Sequence, residues 1–286
     1  MKILITGAKG MLAQAVREKF EKENELILTD VQDLDITNEQ AVKDFIARVK
    51  PDYIINCAAY TAVDKAEENE ELAEKINADG PKNLALAAKE NNAILVHIST
   101  DYVFPGDLDV EKAYTEEDAT GPVTAYGRTK LHGEQAIANN CDKYYIFRTA
   151  WLYGEGKNFV RTMLTLSETR DEISVVCDQH GSPTYTEDLT SIIYQAIEKK
   201  IPFGTYHSTN QEFTTWSEFT KKIFELSNIS TKVNPITSEE YSKQYPTSAN
   251  RPKNSQLSKN KLLSNGIEIP NWEDALKRYL KKEGRM

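Results

Sequence analysis

The chain has 286 residues, enough for one large or two modest domains with a sizeable core. Lys and Arg total 35 against 44 Asp and Glu, a formal net charge of −9, which argues against a nucleic-acid partner. The cysteines Cys57, Cys141 and Cys177 show no disulfide or zinc spacing, which favours a reducing compartment. Without an apolar run of signal-peptide or membrane-span length, we expect a cytoplasmic protein with no membrane partner.

Short apolar runs alternate with helical patterns through the first 150 residues. Strands are predicted at Lys2–Ile5, Leu26–Leu28, Tyr53–Ala58, Ile94–Ile98 and Tyr144–Phe147. Helices are predicted at Met11–Phe20, from a capping box at Thr37–Gln40 through Val49, and at Ala78–Glu90. Continuous apolar strands that alternate with helices indicate an α/β fold with a parallel sheet covered on both faces.

The pattern becomes mixed after about Trp151. We predict a strand at Ile173–Val176 that returns to the main sheet, and a helix that starts at a capping box, Thr215–Glu218, and runs through Leu226. The polar stretch 235–254 is predicted to be mostly loop, and 272–280 a short amphipathic helix. The chain therefore divides into a nucleotide-binding domain at 1–150 and a smaller mixed α/β substrate-binding region at 151–286.

A glycine-rich turn follows the first strand directly. Gly7 and Gly10 flank it, and the first helix begins with Met11 and Leu12. Glycines allow a pyrophosphate to approach the backbone, and the helix N-terminus offers free N–H groups. Such a turn is weak evidence alone, but its place between strand and helix indicates a Rossmann-type, doubly wound sheet that binds NAD(P). Ala13 replaces the usual third glycine and is still small enough for close packing.

Asp30 ends the second strand, about 20 residues after the glycine turn. A carboxylate there can accept hydrogen bonds from a ribose 2′-hydroxyl, which favours NADH, and it would repel the 2′-phosphate of NADPH. Lys9 could partly offset that repulsion, so both cofactors stay open. A surface Asp that simply ends a strand is an equally good interpretation.

Tyr126 and Lys130 stand four residues apart, on one face of a predicted helix. A Lys ammonium beside a phenol favours the phenolate, so we expect a lowered Tyr126 pKa. Thr100, at the end of the fourth strand, can donate a hydrogen bond to a substrate carbonyl. A Tyr and a Lys recur at this spacing by chance in many helices. Together with the glycine turn, however, the three side chains indicate hydride transfer to or from a carbonyl carbon.

Other polar features receive structural interpretations. The charge run 64–74 is predicted to be a solvated helix face, and His97 a core residue of its strand. His132, His180 and His207 show no metal-ligand spacing. Trp216 and Trp272 are predicted to lie in the core or an interface.

The chain resembles the extended short-chain dehydrogenase/reductase superfamily and, within it, the dTDP-4-dehydrorhamnose reductases, over essentially its full length. The most specific stretches of the resemblance are Asn56–Glu67, Ser99–Phe104, Arg148–Gly154, Asp178–Thr184 and Arg251–Pro252.

The resemblance implies reduction of the C4 ketone of dTDP-4-dehydro-L-rhamnose, with Thr100, Tyr126 and Lys130 as the catalytic residues and the proton donated by Tyr126. The implied cofactor contacts are Gly7, Gly10, Met11, Leu12, Asp30, Asp35, Ile36, Ala59, Tyr60, Thr61, Tyr126 and Lys130. The implied substrate contacts are Val63, Thr100, Asp101, Tyr126, Trp151 and Arg251, of which Arg251 suits the diphosphate.

Two departures from the family pattern qualify the resemblance. The turn usually reads Gly-Gln-Leu-Gly, whereas this chain has Gly-Met-Leu-Ala at 10–13. Some members bind magnesium at a dimer interface through glutamates, but the matching position here is Ala15, so we predict no metal and do not infer that dimer. A homodimer of another kind stays open.

Two alternative functions remain at this stage. One is a reductase, epimerase or dehydratase that acts on another nucleotide sugar; Thr100–Asp101, rather than a pair with a glutamate, argues against a dehydratase. Another is a non-catalytic, dinucleotide-binding regulatory subunit that resembles the β subunit of methionine adenosyltransferase. The intact set of Thr100, Tyr126 and Lys130 disfavours that subunit.

Overall fold

The structure is a computed structural model that describes all 286 residues. Its strands are β1 Lys2–Thr6, β2 Glu25–Thr29, β3 Tyr53–Asn56, β4 Ile94–Thr100, β5 Tyr144–Thr149, β6 Leu152–Tyr153, β7 Glu172–Val176, β8 His180–Gly181, β9 Thr184–Tyr185, β10 Gly204–His207, β11 Thr214–Thr215 and β12 Lys232–Ile236. Its α-helices are α1 Met11–Phe20, α2 Glu39–Val49, α3 Val63–Ala66, α4 Glu70–Glu74, α5 Gly80–Glu90, α6 Ala125–Asn140, α7 Phe159–Ser167, α8 Thr186–Lys199, α9 Trp216–Leu226, α10 Ser238–Gln244, α11 Asn260–Ser264 and α12 Trp272–Lys282.

A six-stranded parallel sheet forms the centre, in the order β10-β5-β4-β3-β1-β2. Successive residues of a strand point to opposite faces, and β1 shows this directly. Ile3 and Ile5 belong to the core under α1 and α8, whereas Leu4 belongs to the core under α2 and α5. Both faces are therefore covered, which confirms the predicted Rossmann-type α/β fold.

The strand predicted at Ile173–Val176 does not return to the main sheet, so that prediction was wrong. Here β7 pairs with β12 in a separate two-stranded parallel sheet, and the sixth strand of the main sheet is β10. The first four residues of β7 alternate between exposed and buried, as in a strand with one solvated face, whereas β5 is buried almost throughout. An apolar run specifies a strand but not its neighbour.

Most of the stretch 235–254 lies outside helices and strands, as predicted, but it also contains the end of β12 and all of α10. Pro235 lies in β12, a position that a residue without an N–H can occupy in an edge strand. The helix predicted to start at Thr37 instead has Asn38 as its N-cap, which accepts from the Ala41 N–H at 3.1 Å. The Thr37 hydroxyl donates to Asp35.

Three of the later helices, α7, α9 and α12, pack on an aromatic core beyond the sheet. The side chains of α7, α9 and α12 surround Tyr153, Phe219 and Trp272, all of them buried. Thr215 caps α9 as predicted, by accepting from the Glu218 N–H. This second layer lies beside the carboxyl ends of β4 and β5, where the candidate site opens. None of the helices is both long and apolar enough to cross a bilayer.

Candidate active site

A cleft of about 490 Å³ opens at the carboxyl ends of β1, β3, β4 and β5. This is where ligands of open α/β sheets bind. Its walls include many residues predicted from the sequence, namely Gly10, Met11, Leu12, Ala59, Thr61, Val63, Thr100, Asp101, Tyr126, Lys130 and Trp151. The structure thus brings together most of the predicted site.

The glycine turn has the shape that a dinucleotide phosphate needs. Gly7 has φ +62°, and a Cβ there would lie 2.7 Å from the backbone nitrogen of Ala58, so only glycine fits. Gly10 is the N-cap of α1 and makes no side-chain cap bond, and the first turn carries no acidic residue. The free N–H groups of α1 therefore face the cleft without a competing anion.

Two hydroxyl groups in the same cleft are available to bind a ligand. The hydroxyl oxygens of Ser99 and Thr149 are buried and have no hydrogen-bond partner, although both residues line the cleft. Buried polar atoms are rarely left unpaired. Together with the glycine turn, they fit a polar ligand such as a nicotinamide dinucleotide.

The residues predicted around the adenosine end lie outside the cleft walls. Asp30 accepts from the backbone N–H groups of Lys9 at 3.2 Å and Val31 at 2.9 Å. The ammonium of Lys9 donates to Gln32 instead. Asp30 is thus held at the end of β2 next to the glycine turn.

Asp35, Ile36 and Tyr60 are engaged in the fold itself. Asp35 accepts from Thr37, and Ile36 is buried in the core against Gly80. The backbone of Tyr60 is fixed by the Asn77 amide. Any contact of these three residues with a cofactor remains a prediction.

Tyr126 lies in the first turn of α6, capped by Thr124, and its ring meets Tyr102 edge-on at 5.5 Å. Burial is the largest influence on its hydroxyl and raises its pKa, while the neighbouring Thr100 hydroxyl acts in the opposite direction. The expected lowering of the Tyr126 pKa by Lys130 was therefore wrong, because burial of the hydroxyl dominates and Lys130 is not among the groups that shift this pKa. A protonated phenol is the form that can donate a proton.

Lys130, one turn further along α6, is only 2 % exposed. Its Nζ donates to the carbonyl oxygen of Ile98 at 2.6 Å and lies 3.3 Å from Nε2 of His97. Burial lowers its pKa to about 8, and the nearby Glu134 partly opposes that shift. His97 is fully buried in β4, as predicted.

Thr100 and Asp101 form a polar pair at the end of β4. The Thr100 hydroxyl donates to Asp101 at 3.0 Å and accepts from the Tyr102 N–H. The other Asp101 oxygen accepts from Ser255, and burial raises the Asp101 pKa to about 6. The single hydroxyl hydrogen of Thr100 thus points at Asp101, so its predicted donation to a substrate carbonyl requires a rotation of that hydroxyl.

An aromatic stack separates the cleft from a second cavity. Trp151 has φ +49°, which is strained for a bulky residue, and its ring lies 3.7 Å from that of Trp216. Trp216 and Arg251 line the second cavity, of about 550 Å³. Trp216 was predicted only as a core or interface residue, because nothing in its local pattern shows that it meets a residue 65 positions earlier.

Arg251 lies near the active cleft because Asp64 holds it there, with an N–O distance of 3.0 Å. The run 64–74 also contacts the catalytic helix. Glu67 accepts from the Ala125 N–H at 2.9 Å, and Glu70 forms a bidentate pair with Arg128. Most of the charged residues of this run are exposed, as predicted, and Glu67 and Glu70 in addition anchor the start of α6.

Taken together, the fold and these side chains define a dinucleotide-dependent oxidoreductase of the extended short-chain dehydrogenase/reductase class. The family model described as the RmlD substrate binding domain matches residues 1–285. The dTDP-4-dehydrorhamnose reductase of Salmonella typhimurium is 39% identical, with 98% of this chain and 97% of that protein covered. The chain therefore belongs to the RmlD family, which includes the dTDP-4-dehydrorhamnose reductases.

Solved structures agree with this assignment. A dTDP-4-dehydrorhamnose reductase from Clostridium acetobutylicum is 49% identical and superposes with a TM-score of 0.95, over 99% of this chain and 100% of that one. The dTDP-4-dehydrorhamnose reductase from Bacillus anthracis, solved in complex with NADP, is 43% identical with a TM-score of 0.93, over 98% and 99% of the two chains.

Proposed function

We propose that this protein reduces the C4 ketone of dTDP-4-dehydro-L-rhamnose to dTDP-L-rhamnose, with NADPH or NADH as the reductant. The observation that carries the proposal is the position of Thr100, Tyr126 and Lys130 on one cleft with the glycine turn. Full-length similarity to reductases of this name supports the choice of substrate.

The chain's own groups suit a nicotinamide dinucleotide. The N–H groups after Gly10 would hold the pyrophosphate, while Ser99 and Thr149 offer unpaired hydroxyls deeper in the cleft. The bound cofactor supplies the hydride. Asp30, held next to the glycine turn, would accept hydrogen bonds from the ribose, and the relative solved with NADP keeps NADPH open beside NADH.

Tyr126 donates the proton in this mechanism. Its raised pKa keeps the phenol protonated at neutral pH, so the proton is available when the ketone oxygen gains negative charge. The Thr100 hydroxyl, once rotated away from Asp101, would donate to the ketone oxygen. In its ammonium form, Lys130 would stabilise the phenolate that remains, and it would hold the nicotinamide ribose when the cofactor is bound.

The substrate spans both cavities in this proposal. The sugar lies in the cleft against Trp151, Asp101 and Val63, and the nucleotide extends past the tryptophan stack into the second cavity. Arg251 lines that cavity and can bind paired phosphate oxygens. Its present partner, Asp64, is half exposed, so the ion pair can yield to a diphosphate at small cost.

The test is the loss of NADPH or NADH absorbance with dTDP-4-dehydrorhamnose formed in situ from its precursor, with the two cofactors run in parallel. Turnover with one or both is the expected result, and the ratio of the two rates measures the effect of Asp30. Cofactor binding without turnover would overturn the proposal in favour of another nucleotide sugar or a non-catalytic dinucleotide-binding subunit.

We also propose that the enzyme works in the cytoplasm, since its three cysteines are free thiols in the structure. A homodimer is a separate hypothesis, which sedimentation velocity at several protein concentrations tests. A monomer at all concentrations would contradict it.

A further inference from the structure

A buried chain of hydrogen bonds leads from β1 to the catalytic Lys130. Thr6, Asn56 and His97 are register partners on the adjacent strands β1, β3 and β4. Thr6 Oγ1 lies 2.6 Å from Asn56 Oδ1, Asn56 Nδ2 lies 3.0 Å from His97 Nδ1, and His97 Nε2 lies 3.3 Å from Lys130 Nζ. The four side chains are almost completely buried, so no bulk water competes for these bonds.

The direction of this chain is fixed at Asn56. The backbone N–H of Ala58 can only donate, and it lies 3.2 Å from Asn56 Oδ1. The amide nitrogen of Asn56 therefore faces His97 and donates to Nδ1. Since Nδ1 must then present a lone pair, the neutral imidazole carries its hydrogen on Nε2.

That Nε2–H points at Nζ of Lys130. An ammonium has only hydrogens to offer, so a charged Lys130 would face a donor, whereas an amine can accept from it. The other partner of Nζ, the carbonyl oxygen of Ile98, accepts from either form. Of the two neighbours of Nζ, the Ile98 carbonyl thus accommodates both protonation states, whereas the His97 Nε2–H disfavours the ammonium.

We propose that His97 is a positioning residue for Lys130: through Thr6 and Asn56 its Nε2–H is fixed on Nζ, which stabilises the amine relative to the ammonium, so that Lys130 can use both protonation states. This proposal rests on the proposed function, in which Lys130 serves the proton chemistry of Tyr126. A group that can use both protonation states can take up and return protons readily.

The other charged and titratable groups around Lys130 can be named. Glu134 lies on the same helix and favours the ammonium, but it is itself paired with Arg148 of β5 at 2.7 Å. Tyr126 and Asp101 line the same cleft. Burial lowers the pKa of Lys130 to about 8 and that of His97 well below its usual value, which agrees with a neutral imidazole.

The first experiment measures the tautomer of His97 in the wild-type protein. Long-range 1H–15N correlation spectra of the four histidines distinguish the two tautomers and the imidazolium, and the His97→Gln spectrum assigns the signal. We expect hydrogen on Nε2 only, between pH 6 and 9. Hydrogen on Nδ1, or an imidazolium in this range, would overturn the proposal whether or not the protein is a reductase.

The second experiment uses a pair of variants. Gln can accept from Asn56 and donate to Lys130 with one amide, so His97→Gln should keep the alkaline limb of the kcat/KM profile where the wild type has it. His97→Phe keeps a ring but removes the donor, so the limb should move up by about one pH unit, a tenfold change in proton affinity.

Thermal melting and NADPH binding check that both variants are folded. Equal profiles for wild type and His97→Phe, or equal shifts in the two variants, would contradict the proposal. If His97→Phe does not fold, the tautomer measurement on the wild type still decides. A wild-type protein without turnover would refute the proposed function but leave that measurement intact.

Discussion

The floor and the wall of the cleft are built in different ways. The floor consists of Thr100, Asp101 and Lys130, each at most 5 % exposed and each held by hydrogen bonds to named partners. The wall depends on a tryptophan stack and on an ion pair between Arg251 and Asp64, whose side chains are 28% and 49% exposed. The hydrogen bonds of the floor residues are therefore in place before any ligand binds, whereas the residues of the wall can rearrange.

This difference has an energetic meaning. Removing one partner of a buried polar pair lowers the stability of the folded protein, because the remaining group stays desolvated and unpaired. An exposed ion pair contributes little, typically up to about 1 kcal/mol. Changes to the floor should consequently alter chemistry and stability, whereas changes to the wall should alter substrate binding.

The largest effect is expected for Tyr126→Phe, which removes the proton donor and leaves the ring. Turnover should fall by a factor of about 10² to 10⁴, while the affinity for NADPH, measured by fluorescence titration, stays near the wild-type value. Because the ring still packs against Tyr102, the melting temperature should change little. A variant that turns over like the wild type would refute the assignment of Tyr126.

A smaller effect is expected from the ionisation of Asp101. Its pKa in the folded protein is raised from 3.8 to about 6, so the folded state binds a proton more tightly than the unfolded chain does. This contribution to stability is complete below about pH 4 and is lost as the pH rises through about 6.

Asp101→Asn removes that titration and provides the matched comparison. When the pH falls from 8 to 4, the unfolding free energy of the wild type should rise by roughly 1–3 kcal/mol relative to that of Asp101→Asn. Urea unfolding of both proteins at the two pH values measures the difference. A constant difference would mean that Asp101 has an ordinary pKa in the folded protein.

The smallest effect is expected at the wall, for Trp216→Ala. Loss of the stacked ring frees Trp151 from its strained position, so KM for the nucleotide sugar should rise about five- to tenfold, about 1 kcal/mol of stacking. The rate constant kcat and KM for NADPH should change little. The KM of Trp216→Phe, which keeps an aromatic face, should lie between those of the wild type and Trp216→Ala. A large fall in kcat would instead show that the tryptophan stack affects the chemical step.

The sequence by itself determined the elements that depend on neighbours along the chain. The strands and helices of 1–150, the glycine turn, and the pairing of Tyr126 with Lys130 are read from periods of two and 3.6 residues and from local turn chemistry. The same local information placed Thr100 at a strand end. These are the features on which the family resemblance also rests.

Only the tertiary structure decided what depends on register and distant contacts. That β10 rather than β7 completes the sheet, and that Trp216 meets Trp151, follows from pairing between remote segments. The raised pKa of Tyr126 follows from burial of its hydroxyl, which the spacing of residues along a helix does not reveal. His97 is a core residue by its sequence pattern, but its partners are set by the register of three strands, which no local pattern encodes.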